Sequence, residues 1–440
     1  MAQESYRFIH LSDIHFGQEK HGTLVVHKDA RDKLIEDCAE FASAHGPADG
    51  ILVVGDIAYA GKQREYEDAA KWLKAVAQAG GCEEYSVRTI PGNHDIDRTC
   101  INVYGRNAHQ AIRQATLAQL DGVIEEHLAE AEVGNAMLPK VAAYREFASR
   151  FDCDFPSLKH PCWAKEYPLT HQYALRILGM NSVQVCDGSD VKGNMVLGNN
   201  QYIIKEKDNI APIVLIHHPL VWFKDETEAE RYLHRAPVLL FGHEHTQGCQ
   251  RIENQSGQVQ VRIFSGAVNP PGASEEFPFQ YNWMELSLAG NAESRHLNVA
   301  LWPRRWHFVQ KHFVPDWYSL GEKSFHSFDV PCPKFRPEAP SAPNPGANPC
   351  VANSEVNMAD NERDFERLKY FFWTHLDWQE RVKVLASLDV LPKTITQPQP
   401  QTLEHLALKA AQQKGRLREL WEMTMANVPP NEQHPNPFTK

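Results

Sequence analysis

The chain has 440 residues, 42% of them hydrophobic and 10% aromatic, and a formal charge of −11. Such a chain buries a large core and has length for one big domain beside a small one, so it reads as an ordinary globular protein. The net charge excludes a protein that coats nucleic acid through its overall field, because phosphate binding draws on lysine and arginine, but a local basic groove stays compatible with it.

In chain order, the opening MAQESYRFIH lacks the basic start and apolar run of a signal peptide, and no later stretch approaches the ~20 apolar residues that span a bilayer. A cytoplasmic location without membrane contact is the expectation. Short β-branched runs then recur at Arg7 to Leu11, Ile51 to Val54, Ser86 to Ile90, Ile213 to Ile216 and Val238 to Phe241. Each reads as a buried strand whose carboxyl end delivers polar side chains to one edge of a sheet. Helical patterns from Lys28 to Ala44 and from Glu65 to Gln78 separate the first three, which gives the alternation of a layered α/β domain. Open sheets of that kind bind ligands at the carboxyl ends of their strands.

Between Arg98 and Tyr173 the chain looks largely helical, for example from Ala108 to Leu128 and from Leu138 to Ser149, and reads as an insertion over about residues 100–170 that caps the site. Gln260 to Phe264, Trp283 to Leu288 and Leu297 to Trp302 suit a second sheet packed on the first. The tract 331–354, which opens PCPKFRPEAPSAPNPGANPC, is too proline-rich to pack and reads as a linker between domains at 1–330 and 355–440. In the last segment Phe365, Leu368, Phe372 and Leu376 mark one apolar helix face and Leu417, Leu420 and Trp421 another, while Asp377-Trp378-Gln379-Glu380 has the form of a capping box. That spacing predicts a small helical bundle. The nine cysteines include no CxxC pair and point to neither a disulfide framework nor a thiolate zinc site.

Five short motifs stand at the strand ends: Asp13-Ile14-His15, Gly55-Asp56, Gly92-Asn93-His94-Asp95, His217-His218-Pro219 and Gly242-His243-Glu244-His245. Alone, each is more often a chance occurrence in a chain with 22 histidines. Their order and their shared position carry the signal. Oxygen and nitrogen donors without thiolate suit two borderline divalent cations such as Mn, Fe, Zn, Co or Ni. On an extended segment residues i and i+2 point the same way, so Asp13 and His15 can grip one ion and His243 and His245 can face the cluster together. The glycines before Asp56, Asn93 and His243 let the backbone turn where a strand stops.

With all five in order, the sequence resembles the calcineurin-like metallophosphoesterase superfamily over roughly residues 5–300, whose signature is D-x-H, G-D-x-x-D, G-N-H-D/E, H and G-H-x-H. The resemblance implies a four-layer α/β sandwich flanked by helices. It also implies a dinuclear centre in which Asp13, His15 and His245 hold one metal and Asn93, His217 and His243 the other, with Asp56 bridging. His94 would protonate the leaving oxygen. His217 is preferred to His218 because the family's ligand histidine usually stands two residues before a proline. Two departures matter: Tyr59 stands where the family often has an aspartate that orients the acid histidine, a task Asp95 is expected to share, and Ala60-Gly61-Lys62 lacks the arginine of the protein phosphatases.

That pattern looks most like the bacterial branch with cyclic-nucleotide phosphodiesterases and conflict-system effectors, and the last helices resemble the adaptor domains fused to such effectors. The expected function is hydrolysis of phosphodiesters in a nucleic acid or nucleotide, with a protein partner at the C-terminal domain; the alternatives are a phosphomonoesterase and a non-catalytic scaffold. In two-cation catalysis an in-line water attacks the phosphoryl group, so no serine or cysteine nucleophile is expected. Trp302-Pro303-Arg304-Arg305-Trp306-His307 mixes cations with aromatics, yet one short patch reads better as an exposed strand edge with its aromatics turned inward. His10, His21 and His27 read as polar neighbours of the first motif, and Asn269-Pro270-Pro271-Gly272 as a turn at the site rim.

Overall fold

The structure is a computed structural model that describes residues 4–19, 24–129, 131–155, 159, 161–170, 172–254, 256–290, 295–333, 350–391 and 400–439. Among them are the strands β1 (Ser5–Leu11), β2 (Gly50–Val54), β3 (Val87–Ile90), β4 (Cys162–Pro168), β5 (Ala174–Met180), β6 (Ile210–Ile216) and β7 (Val238–Phe241). They continue with β8 (Gln247–Glu253), β9 (Val259–Ser265), β10 (Gln280–Ala289), β11 (His296–His307), β12 (His312–Pro315) and β13 (His326–Pro331). One sheet runs β12-β11-β10-β1-β2-β3, with β13 also paired to β11, and the other runs β4-β5-β6-β7-β9-β8. The parallel pairs β1–β2, β2–β3, β5–β6 and β6–β7 hold the motif strands in register. Every residue of β2, β3, β6 and β7 is buried, which is why these strands read as unbroken apolar runs instead of alternating ones.

The sandwich differs from the sequence expectation in its division of strands. The second sheet contains β6 and β7, which carry the histidine motifs, together with β9; Trp283 to Leu288 and Leu297 to Trp302 instead extend the first sheet beside β1. The polar strand ends therefore come from two sheets, not one. Local periodicity marks a strand but carries nothing about its partner. β11 is likewise no edge, since β10 lies on one side and β12 and β13 on the other. Pro303, with no N–H for a ladder, falls between the β13 register, which ends at Leu301, and the β12 register, which begins at Arg304. Arg304 forks onto the buried carboxylate of Asp37, and Trp306 is buried, so one arginine and one aromatic ring of this stretch are committed to the interior while Trp302, Arg305 and His307 stay half-buried.

Helices α1 (Leu24–His45) and α2 (Gln63–Gly80) cover the first sheet. Phe41 of α1 stacks on Trp283 of β10 with ring centroids 4.4 Å apart, and α2 buries Tyr66, Leu73 and Val76 on one face. Glu65 accepts the N–H of Lys62 at 2.9 Å and starts α2 as the third residue of a capping box. The helix expected from Ala108 to Leu128 is two: α3 (Val103–Gln114) and a second over Leu117–Ala129. Ala115 leaves the helical region at ψ 139°, and the Thr116 carbonyl accepts the Gln119 N–H at 3.0 Å where the next helix opens.

By its contacts the chain forms two compact units, one of Ala2–Tyr144 and Leu158–Pro337 and the other of Arg145–Ser157 and Glu338–Lys440. The second unit carries helices Cys350–His375, Trp378–Ser387, Pro400–Gln413 and Leu417–Met425. Phe365, Leu368, Phe372, Leu376, Leu420 and Trp421 are buried in it, and Asp377 with Glu380 forms the expected capping box. Segment 145–155 is tied to these helices by Lys369–Asp152 at 2.7 Å and by Arg381–Glu146 at 3.4 Å. Buried Arg381 also pairs with buried Glu404 at 2.8 Å and stacks over Trp373. Of the expected linker, residues 334–349 lie outside the described residues, as does His21. No described helix is long and apolar enough to cross a membrane.

Trp283 is among the largest fully buried side chains, and its ring is what Phe41 of α1 stacks on. Trp283→Ala should lower unfolding free energy by about 3–5 kcal/mol, the usual cost of an aromatic cavity, with Trp283→Phe milder because Nε1 has no hydrogen-bond partner to lose. Urea unfolding of the three proteins checks both.

Candidate metal centre

Asp13, Asp56, Asn93, His217 and His243 each follow the end of a parallel strand by one to three residues. The loops are sewn together by backbone bonds: Asp13 N–H donates to Gly55 O at 3.1 Å, Ile14 and His15 N–H to Asp56 O at 2.8 and 2.9 Å, and Gly242 N–H to His217 O at 3.0 Å. Asp13, His15, Asp56, His243 and His245 all have left-handed backbone, with φ between 50° and 69°. They are five of the nine described non-glycine residues of that kind, so the strain is concentrated at this site. This corrects the extended-segment argument: the paired members of DxH and HxH are joined by tight left-handed turns. His243 and His245 accordingly face different neighbours. Gly92 and Gly242 are required by space, since a Cβ at either would collide with Asp56 or with Ser12.

The side chains converge in two overlapping groups. Asp13, His15 and His245 form one, with His245 Nε2 3.1 Å from Asp13 Oδ1. On the other side His243 Nδ1 lies 2.9 Å from Asn93 Oδ1, and His217 Nε2 lies 3.3 Å from the same oxygen. Asp56 stands between, its Oδ2 3.2 Å from His15 Nε2 and 3.3 Å from His217 Nε2. The far nitrogens are fixed by carbonyls, His15 Nδ1 by Asn269 O at 3.2 Å and His217 Nδ1 by Val54 O at 2.7 Å, which turns Nε2 inward in both rings. Buried Asp13 Oδ1 faces the Nε2 of His245, and this all-oxygen-and-nitrogen set fits a pair of divalent cations. Asp13, His15, Asp56, Asn93, His217, His243 and His245 are thus brought together.

His218 also falls within reach of His217 and His243, but its Nδ1 meets Ser182 Oγ at 2.8 Å and its buried Nε2 has no partner. The nearby carboxylates face His217, and that ring is the better placed donor. His94 is half-buried beside the cluster and lines a cavity of about 320 Å³ with His15, Tyr59 and His245. Its Nδ1 is 2.8 Å from Tyr59 O, its ring stacks on Tyr59, and its N–H donates to Asp56 Oδ1 at 2.7 Å. Asp95 does not orient it. That carboxylate is buried and accepts the N–H groups of Ile57, Ala58 and Gly92 and the Tyr66 hydroxyl, pinning the Asp56 loop to the His94 loop. Asn269 and His27 are more than rim and neighbour: Asn269 O holds His15, and His27 Nδ1 bonds Asn269 Oδ1. Nothing in their spacing signals this, because the contact joins positions 242 apart.

Electrostatics divide the site. Burial would raise the Asp13 carboxyl, but His245 and His217 bring it to about 2; burial is likewise outweighed at Asp56 by His217 and His15, which hold it well below its usual range. For His217 burial disfavours the cation, yet Asp56 and Asp13 push the ring up to about 9. Protons on imidazole thus stand in for cations, and a metal ion must displace them. Because His217 is protonated below about 9, metal uptake should release protons and strengthen as pH rises toward that value. Asp56→Asn removes both the shared carboxylate and the charge that raises His217. It should bind less metal than Asp13→Asn and show a shallower pH dependence, measured by elemental analysis and by Mn titration across pH.

Residues 6–247 match the calcineurin-like phosphoesterase family, and residues 364–426 match the GTPase-associated adaptor domain. A curated relative, the uncharacterized metallophosphoesterase-like protein YydB of Bacillus subtilis (strain 168), is 25% identical over 279 residues, covering 60% of this chain and 53% of its own. The chain therefore spans about half the length of the curated relative it matches. Among solved structures, Vps29 from Entamoeba histolytica aligns at 8% identity and a TM-score of 0.26 over 74% of this chain and 98% of its own. Sulfate thiohydrolase SoxB from Thermus thermophilus aligns at 11% and 0.32 over 89% and 69%. Likenesses this loose assign no function. The family match spans more than half of the chain and includes all five strand-end motifs, and this chain belongs to the calcineurin-like phosphoesterase family.

Proposed function

We propose that the chain hydrolyses phosphodiesters, in a nucleic acid or a nucleotide, at a dinuclear centre. Asp13, His15 and His245 would hold one ion, Asn93, His217 and His243 the other, and Asp56 both. The observation that supports it most is the placement of Asp56 between two donor groups, each imidazole Nε2 within 3.3 Å of its carboxylate. Two divalent cations in this set supply Lewis acidity toward the phosphoryl oxygens and lower the pKa of water. The remaining work belongs to side chains. With Nδ1 held by the Tyr59 carbonyl, His94 offers Nε2 to the substrate. Burial lowers its pKa and Asp56 opposes that; an anionic substrate arriving beside the ring favours the protonated form that can donate to a leaving oxygen. A scaffold reading is disfavoured by strain, since a protein with no use for this cluster gains nothing from five left-handed turns.

Chelation should abolish turnover, and Mn, Co, Ni or Zn should restore it. His94→Ala should keep its metal and lose roughly 10²- to 10⁴-fold in turnover, the usual worth of a positioned acid, with a smaller loss for nitrophenolate than for alkoxide leaving groups. Equal losses for the two would remove His94 from the acid role.

Diesters should be preferred to monoesters. In Ala60-Gly61-Lys62 the cation, Lys62, is paired with Asp97 at 2.7 Å and is not available to a second negative charge. A higher kcat/KM for nitrophenyl phosphate than for bis-nitrophenyl phosphate would reverse this ranking.

The C-terminal helices would bind a protein, and the description of the matched domain points to a GTPase as its class. Trp378 and Leu406 are each more than half exposed on these helices. Trp378→Ser with Leu406→Glu should abolish capture of that GTPase while nitrophenyl diester turnover stays within about twofold, as surface changes away from a site usually do; parallel loss of turnover would indicate a brace.

A further inference from the structure

Beyond the metal ligands, the same unit holds a cavity of about 670 Å³, lined by Arg98, Arg106, Gln110, Arg113, Asp187 and Lys224 among others. Its size is that of a site for a nucleotide-sized ligand. A smaller cavity of about 190 Å³ is lined by Tyr59, Asn93, His94 and Arg98. Arg98 lines both, four residues after His94, and its charge is felt at the His94 ring. Arg113 and Lys224 are committed: Arg113 to Asp187 and Asp190, Lys224 to the carbonyls of Arg113 and Ala115. Among the described residues Arg98 has no ion-pair partner, and Arg106 bonds only the Ile101 carbonyl, at 3.2 Å. Both are exposed.

We propose that this cavity is a second phosphate subsite, with Arg98 and Arg106 as its cations, on the leaving-group side of the bond that is cut. The side is set by His94, so the assignment rests on the phosphodiesterase reading above. A substrate with one phosphate fills the metal centre and leaves the guanidiniums in water. One with a further phosphate beyond the leaving oxygen reaches them, and guanidinium forks suit phosphate oxygens. A chain of net charge −11 repels a polyanion overall, so cations gathered in one concave place decide where such a substrate enters. The exposed amides of Gln110 and Gln114 on α3 line the same wall and can meet sugar or base edges. The second phosphate can belong to a nucleic acid strand or to a small nucleotide with more than one phosphate.

The test compares the full-length protein with Arg98→Gln, Arg106→Gln and the double variant. Binding is read by fluorescence anisotropy on labelled oligothymidylates of increasing length, with metal present and with chelator; turnover is read on oligothymidylate and on bis-nitrophenyl phosphate. Each substitution should weaken oligothymidylate binding about tenfold, the worth of one charge-assisted contact, and lower the salt slope by about 0.7 per cation lost. The loss of kcat/KM should be at least about tenfold larger for the oligonucleotide than for the single-phosphate ester. Affinity that grows with strand length supports a nucleic acid strand, and affinity complete at a dinucleotide with a terminal phosphate supports a small nucleotide. Unchanged binding in the double variant, or equal losses on both substrates, overturns the subsite. If the wild type cleaves no diester but the variants still lose binding, the phosphodiesterase reading fails and the anion site stands.

Discussion

The carboxylate of Asp56 is the constraint on which the rest of the centre depends. It stands where the first sheet ends, in a left-handed conformation after Gly55, and faces donors from both sheets. Its backbone carbonyl receives the N–H groups of Ile14 and His15, its Oδ1 receives that of His94, and its Oδ2 meets two imidazoles. A buried carboxylate is costly unless positive charge answers it. Here that requirement gathers His15 and His217 to one point, and the pull is mutual, since the same carboxylate raises His217 above its ordinary range.

Asp95 shows how the centre is held from behind. Its oxygens clamp the turn after Asp56 to the turn before His94, using only backbone N–H groups and the Tyr66 hydroxyl. Burial first, and the nearby Asp56 charge second, raise its carboxyl to about 7. A group so placed is a brace, whereas the orientation of His94 comes from a peptide carbonyl, a partner that no substitution at position 59 directly removes. This accounts in physical terms for a tyrosine where an aspartate is more usual.

Legibility in the sequence tracks the range of the interaction. The Asp377 capping box and the Phe365 to Leu376 stripe depend on residues three or four apart, and both are present in the structure. Strand runs such as Val238 to Phe241 are equally plain, because burial on both faces leaves an unbroken apolar stretch. The stretch from Ala108 to Leu128 reads as one helix because apolar periodicity passes through Ala115, and only the Thr116 start signal marks the break. The Trp302 to His307 stretch reads as an edge because pairing on its far side comes from β12, later in the chain.

The chemical inventory is legible in the chain alone: seven oxygen and nitrogen donors and one further histidine, each just past a run that must be a buried strand. Such runs end where polar residues begin, so each donor is fixed to the end of its own strand by hydrophobicity alone. The tertiary fold set which donors lie together. Neighbours in sequence part, as His243 turns to Asn93 and His245 to Asp13, while Asp56 and His217, far apart in the chain and on different sheets, meet. It also decided that Asn269 holds His15 and that Arg98 opens onto a cavity beside His94. Strand pairing and left-handed turns set these distances, and neither is written in a local pattern, because each depends on segments far apart in the chain.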